Sequence, residues 1–144
     1  MIRWLLRFSD ALRDRARRRS WPADQATGRR GEDLAHRFLE RCGLTVVARN
    51  WRPSAGPGEI DLVAWEGERL VFVEVKARAR DEFGAPERNV DAQKRDALLR
   101  AARNYARRAG VPWERARFDL VAVVFSDPPA ISHRKDAFGP NRTL

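Results

Sequence analysis

Cysteine occurs once in these 144 residues, at position 42, and histidine twice, at 36 and 133. A single thiol makes no intrachain disulfide, and one Cys with two His cannot complete a Cys/His zinc site within one chain. Such sparing use of cysteine points to the cytosol. No apolar run approaches transmembrane length. The opening stretch, Met1 to Phe8, is too short and too interrupted by Arg to be a secretory signal. Lysine is also scarce: of 29 basic residues only Lys76, Lys94 and Lys135 are lysines. A GC-rich coding sequence is enough to produce such a bias toward Arg. Net charge is therefore weak evidence of function, while a lysine beside a carboxylate carries more information than usual.

What is present fits one domain of common size, with 43% hydrophobic residues for a core. The formal net charge of +9 suggests a polyanionic partner, nucleic acid first and an anionic membrane surface second.

Residues 58–78 are the most informative stretch. Two apolar runs flank the polar turn Glu66-Gly67-Glu68-Arg69, the pattern of a β-hairpin. Alternation puts Ile60, Leu62, Ala64, Val71, Val73, Val75 and Ala77 on one face, the expected core. The other face carries Glu59, Asp61, Val63, Trp65, Leu70, Phe72, Glu74 and Lys76, apolar near the turn and charged at the far end. A two-residue loop at Glu66-Gly67 sets Glu59 opposite Glu74. A four-residue loop from Glu66 to Arg69 sets Asp61 opposite Glu74. A three-residue loop would turn one apolar set outward. Either favoured register gathers Asp61, Glu74 and Lys76. Crowded, buried carboxylates repel, and a hard divalent cation such as Mg²⁺ relieves that cost. An ordinary surface cluster, with Lys76 neutralising Glu74 and Asp61 solvated, matches the pattern equally well.

The remaining chain reads as follows. Residues 1–19 form a basic amphipathic pattern, suited to a membrane-surface or nucleic-acid arm or to a solvated extension, and residues 20–23 a linker. Residues 1–23 are thus an arm and 24–144 the domain. A helix capped at Asp24 or Thr27 runs to Cys42 and stops at Gly43. Its stripe holds Leu34, Ala35, Phe38, Leu39 and Cys42. Gly28 and Gly31 lie on that stripe and would let the helix approach a sheet closely, and Glu32 lies at its edge. Leu44 to Trp51 is a strand. Residues 78–89 form a polar loop. Asp91 to Ala109 is a helix stopped by Gly110 and Pro112, with Leu98, Leu99, Ala102, Tyr105, Ala106 and Ala109 facing the core and Asp91, Lys94 and Arg95 extending the stripe toward a polar site. Arg117 to Phe125 is the last strand, apolar on both faces except at Asp119, as an interior strand of a mixed sheet would be. The tail carries at most one helical turn, around Ile131 to Phe138.

The order α-β-β-β-α-β with Asp61 followed by Glu74-Val75-Lys76 resembles the PD-(D/E)XK nuclease superfamily. Gly28-x-x-Gly31-Glu32-x-x-Ala35, Ala48-Arg49-Asn50-Trp51-Arg52, Gly58-Glu59-Ile60-Asp61-Leu62, Val71 to Arg78 and Arg117-Phe118-Asp119, with His133 and Ala137-Phe138 in the tail, resemble the YraN-like family of small bacterial proteins. That family is similar to archaeal Holliday junction resolvases. The resemblance implies an α/β, restriction-endonuclease-like core and a bacterial cytoplasmic location. It also implies a metal-dependent endonuclease acting on DNA, branched DNA included, in repair or recombination. Asp61, Glu74 and the Val75 carbonyl would hold Mg²⁺ or Mn²⁺, Lys76 would orient the attacking water or stabilise the developing charge, and Glu32 would be an extra acidic residue. Ile60 replaces the superfamily's Pro, and Lys94-Arg95 stands where the family often has Lys-Gln. Arg49, Arg52, Arg78, Lys94 and Arg95 are the candidate phosphate contacts, and the resemblance to resolvases is compatible with a homodimer, although no apolar stripe marks one. The competing reading is a non-catalytic nucleic-acid-binding protein that keeps the nuclease fold.

Overall fold

The computed structural model describes residues 23–79 and 92–139. The expected basic arm and most of the polar 78–89 loop, with Asp91, lie outside them. The elements run α1 (Ala23–Arg41), β1 (Thr45–Trp51), β2 (Ile60–Glu66), β3 (Arg69–Ala79), α2 (Ala92–Ala109), a short 3₁₀ turn (Trp113–Arg115), β4 (Ala116–Phe125) and β5 (Ala130–Phe138). The strands form one sheet in the order β1-β2-β3-β4-β5. β3 is antiparallel to β2 and parallel to β4, and α2 is the connection that allows the parallel pair. This α-β-β-β-α-β-β order, with a mixed five-stranded sheet between helices, is that of a restriction-endonuclease-like fold. Among the described residues, no helix is long and apolar enough to cross a membrane.

The hairpin turns tightly at Gly67-Glu68, with Glu66 paired to Arg69 and Leu62 to Val73. Gly67 takes φ +57, which favours glycine at a two-residue turn. Continuing that register sets Asp61 opposite Glu74, as the longer-loop alternative anticipates.

Two cores lie on opposite faces of the sheet. Leu62, Ala64, Val71, Val73, Val121 and Val123 pack with Ala35 and Leu39 of α1. Val63, Leu70, Phe72, Phe118 and Leu120 pack with Leu98, Ala101, Ala102 and Ala106 of α2. The second hairpin face is thus a core as complete as the first, not a partly open one. Ile60 departs from alternation and joins the α2-side core, because the preceding loop lies against that helix: a Cβ on Gly58 would stand 2.5 Å from the Ala97 carbonyl oxygen.

Several expectations about the helices are corrected. Asp24 and Thr27 lie inside α1, which begins by Ala23. Cys42 is exposed. Gly43, at φ +95, ends α1 as expected: its N–H reaches Glu40 O and the Leu44 N–H reaches Leu39 O, the paired bonds of a Schellman stop. Gly31 makes the close approach, since a Cβ there would lie 2.5 Å from Ala77 Cβ, whereas Gly28 faces open space. In α2, Ala101 is buried and Ala109 exposed, so the core stripe is rotated slightly from the one anticipated.

Arg117 to Phe125 is not the last strand. Ala130–Phe138, expected to hold at most a helical turn, is β5, antiparallel to β4. Its register shifts between the pairs Phe118–Phe138 and Leu120–Arg134, where Asp136 takes φ +54. Arg78, expected at the start of a loop, lies within β3.

Candidate functional site

On β3 the residues facing α2 are Leu70 and Phe72, then Glu74 and Lys76, so an apolar row becomes ionic where the strand passes the start of α2. Glu74 is 2% exposed. Its Oε1 lies 3.6 Å from Lys76 Nζ and 2.5 Å from Lys94 Nζ, which descends from the first turn of α2. The lysine at the charged end of the α2 stripe therefore does reach a polar site. Asp61, opposite on β2, is held by the Val75 N–H, which donates to its Oδ2 at 2.8 Å.

Burial pushes the Asp61 carboxyl well above the usual range, and the charges of Glu74 and Glu32 push it further; the Val75 hydrogen bond opposes them. Burial also lowers the Lys76 ammonium, helped by neighbouring Lys94 and opposed by Glu74. Lys94 itself is raised: burial pulls it down, and the charge and hydrogen bond of Glu74 outweigh that.

Glu32 reaches this cluster from the other side of the sheet. Asn50, near the end of β1, donates from Nδ2 to both Glu32 oxygens at 3.1 and 3.0 Å. Arg29, one turn before Glu32 and fully buried, donates to Glu32 Oε2 at 3.3 Å and to Asn50 Oδ1. Asn50 adopts φ +48, a left-handed conformation that Asn tolerates better than most residues. Burial raises the Glu32 carboxyl, against the lowering effect of Asn50, Arg29 and Arg49.

The expected phosphate contacts divide. Arg49 is turned inward, its side chain 3% exposed, with NH2 2.5 Å from Asp33 Oδ1 and 3.8 Å from Glu32 Oε2. A guanidinium so committed has little reach to an outside phosphate. Arg52 is exposed and pairs with Glu59 at 2.7 Å. Arg78 is half-buried and donates to the Ala77 carbonyl at 3.4 Å. Arg95 is half-buried on the first turns of α2. Sequence reasoning assigned no part to Asn50 or Arg29; the i,i+3 spacing of Arg29 and Glu32 was the available signal.

The donor chemistry suits a hard cation. Asp61 and Glu74 offer adjacent oxygens, a cation would offset the burial and crowding that raise the Asp61 carboxyl, and Lys94 already supplies an ammonium at Glu74. Among the described residues, no group of three or more His, Cys, Asp or Glu is arranged to hold a metal ion. Water or substrate oxygens would have to complete the coordination, as Mg²⁺ usually requires.

A second ionic cluster ties the far end of the sheet. Asp119, fully buried on β4, receives both arms of Arg117 at 2.8 Å, lies 2.8 Å from His133 Nε2 and accepts the Asp136 N–H at 3.0 Å. Although burial alone would raise it, these bonds hold its carboxyl below the usual range. This cluster fastens β5 to the sheet, and the tail residue His133 belongs to it rather than to the carboxylate site.

The sequence model of the family described as "Uncharacterised protein family UPF0102" matches residues 31–123. A UPF0102 protein of Solibacter usitatus is 57% identical over 125 residues, 87% of this chain and 93% of that protein. Others from Rhodococcus jostii and Koribacter versatilis are 44% and 42% identical, covering 78% and 81% of this chain and 96% and 82% of their own. The match takes in both Asp61 and Glu74, and on these grounds the chain belongs to the UPF0102, or YraN, family.

Proposed function

We propose that this protein is a metal-dependent nuclease that hydrolyses phosphodiester bonds in DNA, with branched or junction DNA of repair and recombination as its preferred class. The observation that carries the reading is the meeting of Asp61, Glu74 and Lys76 at one end of a buried hairpin, where the carboxylates crowd and Asp61 is held in a state that added positive charge would relieve. The restriction-endonuclease-like order of elements supports it.

Asp61, Glu74 and the Val75 carbonyl would hold Mg²⁺ or Mn²⁺, which when bound lowers the pKa of water and offsets charge on the phosphate. The Val75 N–H fixes Asp61 by Oδ2, with its carboxyl against that of Glu74. Lys76, partly desolvated beside Glu74, would orient the attacking water or steady charge growing on the phosphate. Asn50 and Arg29 hold Glu32 at the rear of the site, where its charge acts on Asp61. Lys94 carries a second positive charge to Glu74 from α2.

One observation favours a second reading. Glu74 is already neutralised by Lys94 at 2.5 Å, so the site is electrostatically tolerable without a metal, as in a binding protein that keeps the fold but not the reaction.

Titrating Mg²⁺ and Mn²⁺ into purified protein and Glu74→Ala separates the two, using labelled duplex, single-stranded, flap and four-way junction DNA together with RNA. Metal-dependent cutting by the wild type that is lost in Glu74→Ala is expected. Binding in every lane without cutting would replace the nuclease reading with the second one.

A further inference from the structure

The positive charge of the described residues is not spread over the surface. Residues 23–79 carry nine basic and nine acidic side chains, and residues 116–139 carry three of each. Residues 92–115, α2 and the turn after it, carry seven basic and two acidic. Among the described residues the excess therefore sits on one helix and its exit.

Along α2, Arg100, Arg103 and Arg107 recur at intervals of three and four residues, all exposed, on the side opposite buried Leu98, Ala101 and Ala102. Asp96 shares their face at its start. Favourable interaction with the helix dipole accounts for Arg107 and Arg108 in the last turn but not for Arg100 and Arg103, because that effect fades within a turn.

The stripe ends at a groove of about 430 Å³ lined by Arg103, Ala106, Arg107, Val111 and Trp113. Trp113 is braced from within by Phe118 and Phe72, at 5.8 and 6.5 Å between ring centroids, and Arg103 lies over its ring at 4.7 Å. An anchored aromatic ring in a groove lined by two arginines can stack an unpaired base once Arg103 moves from the ring face to a phosphate.

We propose that the outer face of α2 and the Trp113 groove form a track for single-stranded nucleic acid, with phosphates on Arg100, Arg103 and Arg107 and a base against Trp113. The inference deepens the nucleic-acid reading above and rests on it. The track starts at Arg100, about 9 Å along the helix from Lys94, and reaches Arg107 roughly 10 Å further along the axis, on the face turned away from Glu74. It would hold a strand leaving the carboxylate site, several nucleotides from the bond attacked.

The test is equilibrium binding of full-length protein to a fluorescein-labelled single-stranded oligonucleotide in EDTA, from low to moderate salt. The variants are the pair Arg103→Gln/Arg107→Gln, Trp113→Leu, and a control pair on exposed α1 positions, Arg37→Gln/Arg41→Gln. The Arg103/Arg107 pair is expected to lower the slope of log affinity against log salt by about 1.4, roughly 0.7 per lost phosphate contact, and the α1 pair to leave it unchanged. Trp113→Leu is expected to weaken binding about fivefold or more with an unaltered slope.

Equal losses in both arginine pairs, or an acidic peptide binding more tightly than the oligonucleotide, would overturn the track. Because Trp113 also braces the core, its loss counts only if the thermal midpoint stays near wild type; the arginine pairs decide the matter independently. Failure of the wild type to bind any nucleic acid would remove the nuclease reading as well, so the two failures are distinguishable.

Discussion

Gly31→Ala and Gly28→Ala are the same chemical change three residues apart on α1, and the structure assigns them opposite signs. A methyl at 28 meets nothing within 4 Å. Alanine there should stabilise the helix by about 0.5–1 kcal/mol, the usual cost of an interior glycine. A methyl at 31 would stand 2.5 Å from Ala77 Cβ, with Ala77 Cα at 3.7 Å and Phe125 Cζ at 3.9 Å. Carbon atoms prefer about 3.5–4.0 Å, so α1 must withdraw by roughly 1 Å. Ala77 has no rotamer with which to yield. Overpacking of this kind costs about 1–3 kcal/mol, and the helix gain returns about 0.5–1, leaving a net loss of up to about 2.5 kcal/mol. At about 4 °C per kcal/mol for a chain of this size, Gly28→Ala should raise the thermal midpoint by about 2–4 °C and Gly31→Ala lower it by up to about 10 °C. Urea unfolding followed by circular dichroism gives the same comparison, with m unchanged if only the native state is affected. Two alanines that shift stability in the same direction would refute the packing argument. Since Glu32 follows Gly31, the withdrawal should also disturb the carboxylate cluster.

The carboxylates yield further expectations. Asp61→Asn should raise the thermal midpoint at pH 7.5, because the buried carboxylate is costly when ionised; with its folded pKa raised, the penalty shrinks as pH falls, and the advantage should vanish below the ordinary carboxylate range. Mn²⁺ should raise the midpoint of the wild type in a concentration-dependent way but not that of Glu74→Gln, as ligand linkage requires; equal shifts would place the metal elsewhere. Asp119→Asn should cost about 2–4 kcal/mol at neutral pH, since it strips a buried partner from Arg117 and His133, and amide exchange in β5 should accelerate. The Asp119 contribution, from a lowered carboxyl, should be present above its unfolded pKa and lost as pH falls through the folded one. Arg49→Gln should lower stability yet leave the salt dependence of nucleic-acid binding unchanged, because its guanidinium faces Asp33 and Glu32.

The hairpin was legible because its apolar alternation leaves few registers, and Gly67 sits where a tight turn needs it. Glu32 and Lys94 were legible as charges at the ends of otherwise apolar helical stripes. β5 was not. Its alternation is sound through Ile131 and His133, but the irregularity at Asp136 places Ala137 and Phe138 both among buried residues, which no strict period of two describes. The Arg49 role was hidden for a related reason: a single sequence does not say whether an arginine on a short strand faces solvent or an acidic helix lying across it. Asn50 acts through a left-handed backbone that no periodicity reports.

The features that disguise β5 have a use. Among the described residues β5, like β1, is an outer strand of the sheet, and an outer strand offers unpaired backbone groups to any other chain. Here that rim carries Arg134, Lys135 and Asp136, and the left-handed turn at Asp136 bends the line of donors and acceptors out of register. A second copy seeking to extend the sheet would meet charge first and a broken ladder next. The same disorder of pattern that hides the strand from sequence inspection also shields it from unwanted neighbours.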